Sequence, residues 1–288
     1  MKSPVALTIL ASSVQAADLQ AYNVDPKSVS VSGLSAGGFM AGQLGVAYSG
    51  TFQTGFGVFA AGPYDCARSQ SYTTCMYNMN PSITTPTANM KAWSGKQIDP
   101  TTNLQQRKIF LQVGTADYTV GPNPMNALKQ QLSGFAPTAN IAYVTRSGQA
   151  HTFPTDFNGA GDNACGLSSS PYISNCGYDG AGAVLQWMYG TLNARSSAAQ
   201  GSVSYSSIGN KYITNTGYNL WADTNNIIVL YPQAVPDNTI HPIWQGVLSN
   251  PNGCFDWVGW YGQNADQKGG VQMAAIVNMV NRVTSGFK

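Results

Sequence analysis

Short apolar runs alternate with longer amphipathic segments along this chain of 288 residues. The apolar, β-branched runs predict strands at 28–32, 55–60, 108–113, 141–145 and 227–231. Apolar residues at helical spacing predict helices at 39–48, 123–132, 181–192 and near 208–222. Strands and helices in alternation indicate an α/β fold, with a mostly parallel sheet and helices on both of its faces.

The first predicted strand runs directly into the pentapeptide Gly33-Leu34-Ser35-Ala36-Gly37, and a helix follows. This is a G-x-S-x-G sequence in the strand–turn–helix setting of a nucleophilic serine. The turn is strained, and we expect side chains at either flanking glycine to clash with neighbouring backbone. Such a turn exposes the Ser35 hydroxyl and directs the Ala36 N–H at a developing oxyanion. A glycine-rich helix start is the alternative interpretation.

A nucleophilic serine requires a histidine base with an acid behind it. The chain has two histidines, and His151 follows the strand at 141–145, whereas Asp117 follows the strand at 108–113. The chain order Ser35, Asp117, His151 is that of α/β-hydrolases. We therefore predict Ser35 as nucleophile, His151 as general base and then acid, and Asp117 as the group that fixes the imidazole tautomer. His241 is interpreted as a packed loop residue.

The position of Ser35 is unusual, because several strands usually precede the nucleophile and here only one does. We expect the early strands of the fold to come from the carboxyl end, where the predicted strand at 227–231 is unassigned. The fold class predicted is thus a circularly permuted α/β-hydrolase. Such permutation is tolerated where the chain termini lie close together at the surface.

Composition excludes several other classes of protein. Charged residues are 9% of the chain, the net charge is +2, and no basic cluster exceeds Arg107-Lys108, so nucleic acid is not an expected partner. No apolar run approaches ~18 residues, so no membrane span is expected. Two histidines leave little material for a metal site, and we expect neither metal nor cofactor.

The amino terminus and the cysteines indicate secretion. Lys2, the apolar run 5–11 and small residues at 14–16 predict a signal peptide at 1–16, followed by a single catalytic domain at 17–288. A first core helix is the alternative for residues 5–11. In an oxidising compartment the cysteines predict two local disulfides, Cys66–Cys75 and Cys165–Cys176. Cys254 has no partner.

Five longer segments resemble the fungal extracellular poly(3-hydroxybutyrate) depolymerases with a single, circularly permuted α/β-hydrolase domain. They are 29–38, 62–68, 151–162, 230–234 and 250–260. The resemblance implies that Ser35, Asp117 and His151 form the triad of a secreted serine esterase. The expected partner is a polymeric ester, which the enzyme cleaves to soluble hydroxy acids through an acyl-enzyme. A monomer is expected.

The resemblance also implies that the tryptophan-rich segment near Cys254 lies beside the active-site crevice. Trp257, Trp260 and Tyr261 are predicted to be exposed and to bind polymer, with core packing as the alternative. Feruloyl and acetylxylan esterases share the strand-Tyr-Pro-Gln and Cys-x-x-Trp patterns and form a second possible function.

The chain departs from the family pattern where residues 201–203 run directly into residues 204–208. In the family, a block with a strand ending in His-Gly-Cys stands there. That block would supply the second oxyanion N–H, a central strand beside the nucleophile strand and a cysteine for Cys254. Three outcomes are open: the strand at 227–231 pairs directly with 29–32, the chain folds poorly, or the sequence omits an exon. A catalytically impaired polymer-binding homologue is therefore a third possible function.

Overall fold

Four parallel strands form the central sheet and stand side by side in the order of the chain. They are β1 (Ser30–Leu34), β2 (Gly55–Phe59), β3 (Lys108–Gly114) and β4 (Ile141–Arg146). The computed structural model describes residues 19–197 and 211–288. All four strands confirm the sequence prediction to within two residues at either end.

Helices connect the strands of the sheet. In the described ranges the α-helices are α1 (Ala36–Ala47), α2 (Cys66–Ser69), α3 (Thr84–Trp93), α4 (Pro122–Ser133), α5 (Gly180–Tyr189), α6 (Lys211–Asn215), α7 (Tyr218–Asn225) and α8 (Val271–Thr284). Short 3₁₀ helices occur at Pro26–Ser28, Tyr72–Cys75, Thr101–Gln106 and Thr138–Asn140. Of the four predicted helices, α1, α4 and α5 are confirmed with shifted ends. The one predicted near 208–222 is interrupted at Gly217, whose φ of 88° is left-handed; residues 208–210 lie outside the described ranges.

Both faces of the sheet are covered, because side chains of successive strand residues point to opposite faces. One face packs against α1, α4 and α8, in a buried cluster that includes Leu44, Val58, Leu111, Leu128 and Val277. The other face packs against α5 and α7, in a cluster that includes Phe59, Phe110, Val184, Leu185 and Trp221. Burial on both faces explains why β2 and β3 read as nearly continuous apolar runs.

The strand predicted at 227–231 is wrong, because this segment pairs with no other described residues as a strand. Its direct pairing with 29–32 is wrong for the same reason. Ile227, Val229 and Tyr231 pack against one core cluster, and Leu230 packs against the other. The alternating apolar pattern therefore reports side-chain burial, whereas a strand also needs a hydrogen-bonded neighbour.

Two smaller sheets were not predicted. β5 (Phe153–Thr155), β6 (Asn163–Ala164) and β7 (Ile173–Asn175) form one, in the order β5-β7-β6. β8 (Asp237–Ile243) and β9 (Gly246–Asn250) form an antiparallel hairpin. Strands of two or three residues are too short to show a recognisable alternation.

β1 is an edge strand within the part of the chain that the structure describes. The Ser35 N–H donates to the Phe59 carbonyl, and the Val29 carbonyl accepts from Thr54, so the odd-numbered residues face β2. Because backbone groups alternate along a strand, residues 30, 32 and 34 direct their N–H and C=O groups away from β2. All of β1 is partly exposed, whereas every residue of β2 is buried. This free edge is where the sequence led us to expect a missing strand.

Within residues 19–197 and 211–288, no helix is long and apolar enough to cross a membrane. Over the same residues, no group of three or more histidine, cysteine or acidic side chains is arranged to hold a metal ion.

Candidate active site

Ser35 stands on a sharp turn between β1 and α1. Its φ of 57° and ψ of −125° are rare for any residue other than glycine. A Cβ at Gly33 would lie 2.3 Å from the Gly37 carbonyl oxygen, and a Cβ at Gly38 would lie 2.7 Å from the Phe59 carbonyl oxygen. The turn therefore requires glycine at both positions. The expected clash at Gly37 is wrong, because its nearest neighbour is a side-chain carbon of Phe255 at 4.0 Å.

Asp117 and His151 form a buried hydrogen-bonded pair. His151 Nδ1 lies 2.8 Å from Asp117 Oδ2, and the two residues are 3% and 1% exposed. The other carboxylate oxygen, Oδ1, accepts the N–H groups of Thr119 and Val120, each at 2.9 Å. Since an ionised carboxylate only accepts hydrogen bonds, Nδ1 carries the proton and Nε2 is left as the basic nitrogen.

The chain after β4 returns across the sheet to β2, which pairs with the strand that precedes Ser35. Phe153, two residues after His151, packs its ring 4.8 Å from that of Phe59. Phe59 pairs in register with Leu34, and its carbonyl accepts the Ser35 N–H. Ser35, Asp117 and His151 thus all follow the carboxyl ends of sheet strands, where ligands bind in open α/β sheets. The Ser35 hydroxyl makes no hydrogen bond to any other described residue.

A cavity of about 270 Å³ contains Ser35 and Ala36 in its wall. Ala36 is the first residue of α1, so its N–H has no acceptor within the helix. Most of the wall is aromatic or aliphatic, and it includes Phe39, Tyr72, Met76, Tyr77, Val120, Leu248, Trp257 and Trp260. Such a cavity suits an apolar ester chain with the serine at one end.

The three aromatic residues predicted to bind polymer differ in position. Trp257 and Trp260 line the cavity but are only 8% and 7% exposed, so the expectation of exposed rings is wrong for both. Trp257 stacks on Phe39 with ring centroids 4.2 Å apart, which places it in the core and in the cavity wall together. Tyr261 does not line the cavity, and its hydroxyl accepts from the Asn250 side chain at 3.2 Å.

His241 belongs to a second Asp–His pair, away from Asp117. Its Nε2 lies 2.7 Å from Asp237 Oδ2, and its ring packs edge-on against Tyr261 with centroids 5.6 Å apart. His241 lies in β8, so its interpretation as a loop residue is wrong, although it does pack against a neighbour. Both side chains of this pair are 26% exposed.

Asp256 is a residue of the site that sequence reasoning missed. Its carboxylate accepts four consecutive N–H groups, those of residues 258–261, at 2.7–3.2 Å. Burial raises the pKa of this carboxyl, although the four hydrogen bonds oppose that shift. Asp256 thereby shapes the turn that carries Trp257 and Trp260. The signal in the sequence was an aspartate three residues before Gly259 in an aromatic segment.

Comparisons with known proteins decide the family. A model of the prolyl oligopeptidase family, Peptidase_S9, matches residues 11–163. The polyhydroxybutyrate depolymerase of Talaromyces funiculosus is 60% identical over 292 residues, which cover 85% of this chain and 86% of that protein. The chain belongs to both families, the prolyl oligopeptidase family of serine hydrolases and the polyhydroxybutyrate depolymerases. The poly(3-hydroxybutyrate) depolymerase of Delftia acidovorans is 37% identical over 296 residues, which cover 85% of this chain and 57% of that protein.

Two solved structures are similar to this polyhydroxybutyrate depolymerase family member. They are the crystal structure of PHB depolymerase from Penicillium funiculosum and a serine-to-alanine variant of PHB depolymerase complexed with an R3HB trimer. Each has a TM-score of 0.91 and 60% identity, and each alignment covers 94% of this chain and 99% of the other. The chain is therefore a serine ester hydrolase with an α/β-hydrolase type of fold.

The alignment with the Talaromyces depolymerase has more positions than the number of residues of this chain that it includes. It extends over 292 residues, whereas 85% of 288 residues is about 245. About 47 aligned positions of that relative therefore have no counterpart in this depolymerase family member. A gap of this size fits the block expected to be missing near residues 201–208, which lie outside the described ranges.

The cysteines agree with the sequence prediction. Cys66 is bonded to Cys75 and Cys165 to Cys176. Cys254 is a free thiol in the wall of the Ser35 cavity, and burial raises its pKa. The free thiol, the unpaired edge of β1 and the alignment gap are the three features expected from one missing block.

Proposed function

We propose that this chain hydrolyses poly(3-hydroxybutyrate) to soluble hydroxy acids with Ser35 as nucleophile, His151 as base and acid, and Asp117 as the residue that orients His151. The observation that carries the proposal is the buried Asp117–His151 pair, which follows the carboxyl ends of the sheet strands, as does Ser35 on its strained turn. The relatives named depolymerases and the serine-to-alanine variant complexed with an R3HB trimer support the same substrate and a catalytic serine.

In the proposed reaction, Ser35 Oγ attacks an ester carbonyl while His151 Nε2 takes the hydroxyl proton. The Ala36 N–H donates to the resulting oxyanion, and Asp117 stabilises the imidazolium. The ester C–O bond then breaks, and His151 returns its proton to the leaving alcohol oxygen. Water attacks the acyl-enzyme with His151 again as base, which releases a hydroxy acid and restores Ser35.

The apolar cavity fits this substrate class. Its wall has room for a short polyester segment beside Ser35, and Trp257 and Trp260 are proposed to contact that segment. Tyr261 is proposed to act only through Asn250, which borders the cavity. Adsorption to polymer is assigned to the catalytic domain itself.

The missing block limits the proposed rate. It would carry the second oxyanion N–H, and loss of one such donor costs roughly 10²–10³ in kcat. A serine hydrolase with only the Ala36 donor still retains a triad, so we propose slow catalysis rather than none.

The test is hydrolysis of the R3HB trimer by the wild-type chain, by Ser35→Ala and by Ser249→Ala. Ser249 lies in the same cavity and is the matched control. We expect Ser35→Ala to lose release of 3-hydroxybutyrate by several orders of magnitude and Ser249→Ala to stay within about twofold of wild type. Equal release by Ser35→Ala would overturn the assignment.

A catalytically impaired polymer-binding homologue is the second candidate, favoured by the free edge of β1 and by the unpaired Ser35 hydroxyl. An organophosphonate distinguishes the two, because it labels only an activated serine. Labelled Ser35 supports the esterase, whereas polymer sedimentation without labelling supports the binding protein. Methyl ferulate offered beside hydroxybutyrate oligomers tests the feruloyl esterase alternative.

We also propose that residues 1–16 are a signal peptide, that residues 17–288 are one catalytic domain, and that the protein is a secreted monomer. Two disulfides support an oxidising compartment. Amino-terminal sequencing of the secreted protein and its mass in solution test these points.

A further inference from the structure

A second, smaller cavity adjoins the aromatic wall of the active-site cavity. Its volume is about 10 Å³, enough for one water molecule. Phe39 and Trp257 line both cavities, and their stacked rings separate the two. A change in the small cavity therefore reaches the wall that faces Ser35.

Two buried carboxyl groups at this cavity contact one arginine. Arg68 Nε donates to Asp65 Oδ1 at 2.8 Å, and Arg68 Nη2 donates to Asp266 Oδ1. Asp65 is 3% exposed and Asp266 is fully buried. The remaining donor to Asp65 is the neutral Asn89 side chain at 2.7 Å. Two carboxylates against one cation leave a buried negative charge, which is costly unless a proton or a cation compensates it.

Two oxygens of residues that line the cavity have no hydrogen-bond partner in the described part of the chain. They are Gln43 Oε1 and Asp266 Oδ2, and both residues are at least 97% buried. Gln43 Nε2 already donates to the Ala265 carbonyl at 3.2 Å, so the amide orientation is fixed. A proton on the carboxyl pair would turn the Asp266 oxygen into a donor and would remove the surplus charge.

The surroundings favour that proton. Burial and the neighbouring Asp65 carboxyl raise the pKa of Asp266 well above its usual range, and Arg68 only partly opposes them. The other titratable group that faces the pair is Tyr64, whose own pKa burial and the two aspartates raise well above normal. Lys268 is engaged with Asp99 at 2.6 Å instead.

We propose that Asp65 and Asp266 share one proton, and that this protonated pair positions the aromatic wall of the active-site cavity, so that substrate binding weakens as pH rises and the proton leaves. Asp65 and Asp266 are positioning residues, since neither lines the cavity that contains Ser35. The kinetic part of this inference rests on the proposed function.

The contacts around the pair show how ionisation would reach the wall. The segment 263–266 is held by Arg68, which donates to the Gln263 carbonyl at 2.7 Å, and by Tyr64, whose hydroxyl donates to the Asp266 carbonyl at 2.5 Å. The Arg68 guanidinium also lies 4.3 Å from the Trp244 ring centroid. Repulsion between two ionised carboxylates would separate this segment from residues 62–68. Trp257 lines the same small cavity as residues of both segments, whereas Asp117 and His151 make no contact with the pair.

The kinetic test measures KM and kcat for the R3HB trimer between pH 7 and 10. For wild type we expect KM to rise about tenfold for each pH unit above the ionisation, with kcat unchanged. Asp266→Asn retains a neutral hydrogen-bonding side chain, so its KM is expected to stay low across the range. Asp156→Asn removes another aspartate paired with an arginine, at the surface, and is expected to follow wild type. A merely structural role would raise KM of Asp266→Asn equally at every pH, which would overturn the proposal.

An infrared measurement tests the proton without any activity. At pH 7 we expect the carbonyl stretch of a protonated carboxylic acid in wild type and in Asp156→Asn, and its loss in Asp266→Asn. Asp65→Asn gives the same comparison should Asp266→Asn not fold. Absence of the band in wild type would refute the shared proton and leave a bridging water as the occupant. An inactive wild type with the band would refute the proposed function alone.

The same proton predicts the pH dependence of stability. Since the pKa of Asp266 is raised on folding, its contribution is fully present below the ordinary aspartate pKa and is lost as pH rises toward the folded value. The free energy of unfolding of wild type should therefore fall across that interval more steeply than that of Asp266→Asn. Denaturant unfolding at several pH values measures the difference, and equal slopes would contradict the shared proton.

Discussion

The two halves of the candidate active site differ in how completely they are built. In the acid–base half, both oxygens of the Asp117 carboxylate are hydrogen-bonded, and His151 is buried against it. In the serine half, Ser35 follows a strand that has one neighbour among the described residues, its hydroxyl bonds to none of them, and the nearby Cys254 thiol is free.

The difference follows from where each half lies in the chain. The acid–base half comes from one continuous stretch, residues 108–151, whose strands β3 and β4 pair with each other. The serine half depends on a neighbour that the family resemblance places much later, near residues 201–208. A missing segment there would leave the Asp117–His151 pair intact and expose the open edge of β1.

Besides its pairing with β2, β1 is held by side-chain hydrogen bonds on the sheet face that α5 and α7 cover. Ser30 Oγ lies 2.8 Å from the Tyr189 hydroxyl, and Ser32 Oγ lies 2.6 Å from the Tyr218 hydroxyl. Each such hydrogen bond contributes roughly 1 kcal/mol net. These contacts anchor β1 to α5 and α7, but they leave the outward backbone groups of residues 30, 32 and 34 without a strand partner.

The largest expected effect concerns the acid–base half. Asp117→Asn should lower kcat roughly 10⁴-fold, the loss known for the corresponding change in a serine protease, because the amide favours the wrong imidazole tautomer. Initial rates on the R3HB trimer measure it. Asp237→Asn alters the other Asp–His pair and is the matched control, expected to change kcat less than twofold. Equal losses in both variants would show that the Asp117–His151 pair has no special role.

The second effect concerns the serine half. Insertion of the missing block of the Talaromyces relative between residues 203 and 204 should raise kcat by roughly 10²–10³, because it restores an oxyanion donor. It should also slow hydrogen exchange at the amides of residues 30 and 32, which lack a strand partner. A Gly/Ser segment of equal length is the control. An unchanged kcat with protected amides would mean that the strand returns without the oxyanion donor.

The third effect is at Cys254. Because burial raises the pKa of its thiol, alkylation at pH 8 should be slower in the folded chain than in urea. Mass spectrometry counts one alkylated cysteine, since the other four are in disulfides. Cys254→Ser is the control, and insertion of the block should abolish labelling by forming a new disulfide. Continued labelling after insertion would separate the free thiol from the missing block.

The sequence allowed the Asp117–His151 pairing and the four strands of the central sheet to be predicted, for physical reasons. Strands buried on both faces leave apolar runs, and residues that follow parallel strands meet at one edge of the sheet, which is why Asp117 and His151 could be paired from the sequence. The strand at 227–231 failed, because side-chain alternation carries no information on whether a hydrogen-bonded neighbour exists. The Asp65–Arg68–Asp266 cluster depends on a contact between distant segments, which no local pattern records. The hydrogen bonds of Asp256 are local, to residues 258–261, but the sequence pattern of that turn was not recognised.

The smallest effect distinguishes two adjacent glycines at the serine turn. Gly37→Ala places a Cβ no closer than 4.0 Å to Phe255, so it should be tolerated and gain up to about 1 kcal/mol from the higher helix propensity of alanine. Gly38→Ala places a Cβ 2.7 Å from the Phe59 carbonyl oxygen, and backbone cannot move away cheaply, so this matched variant should be destabilised. Thermal unfolding measures both.

If the space beside Gly37 exists because the block is absent, the gain from Gly37→Ala should vanish or reverse once the block is inserted. Gly38→Ala should remain unfavourable in both backgrounds. A Gly37→Ala variant as unstable as Gly38→Ala would instead mean that the space beside Gly37 is filled in solution.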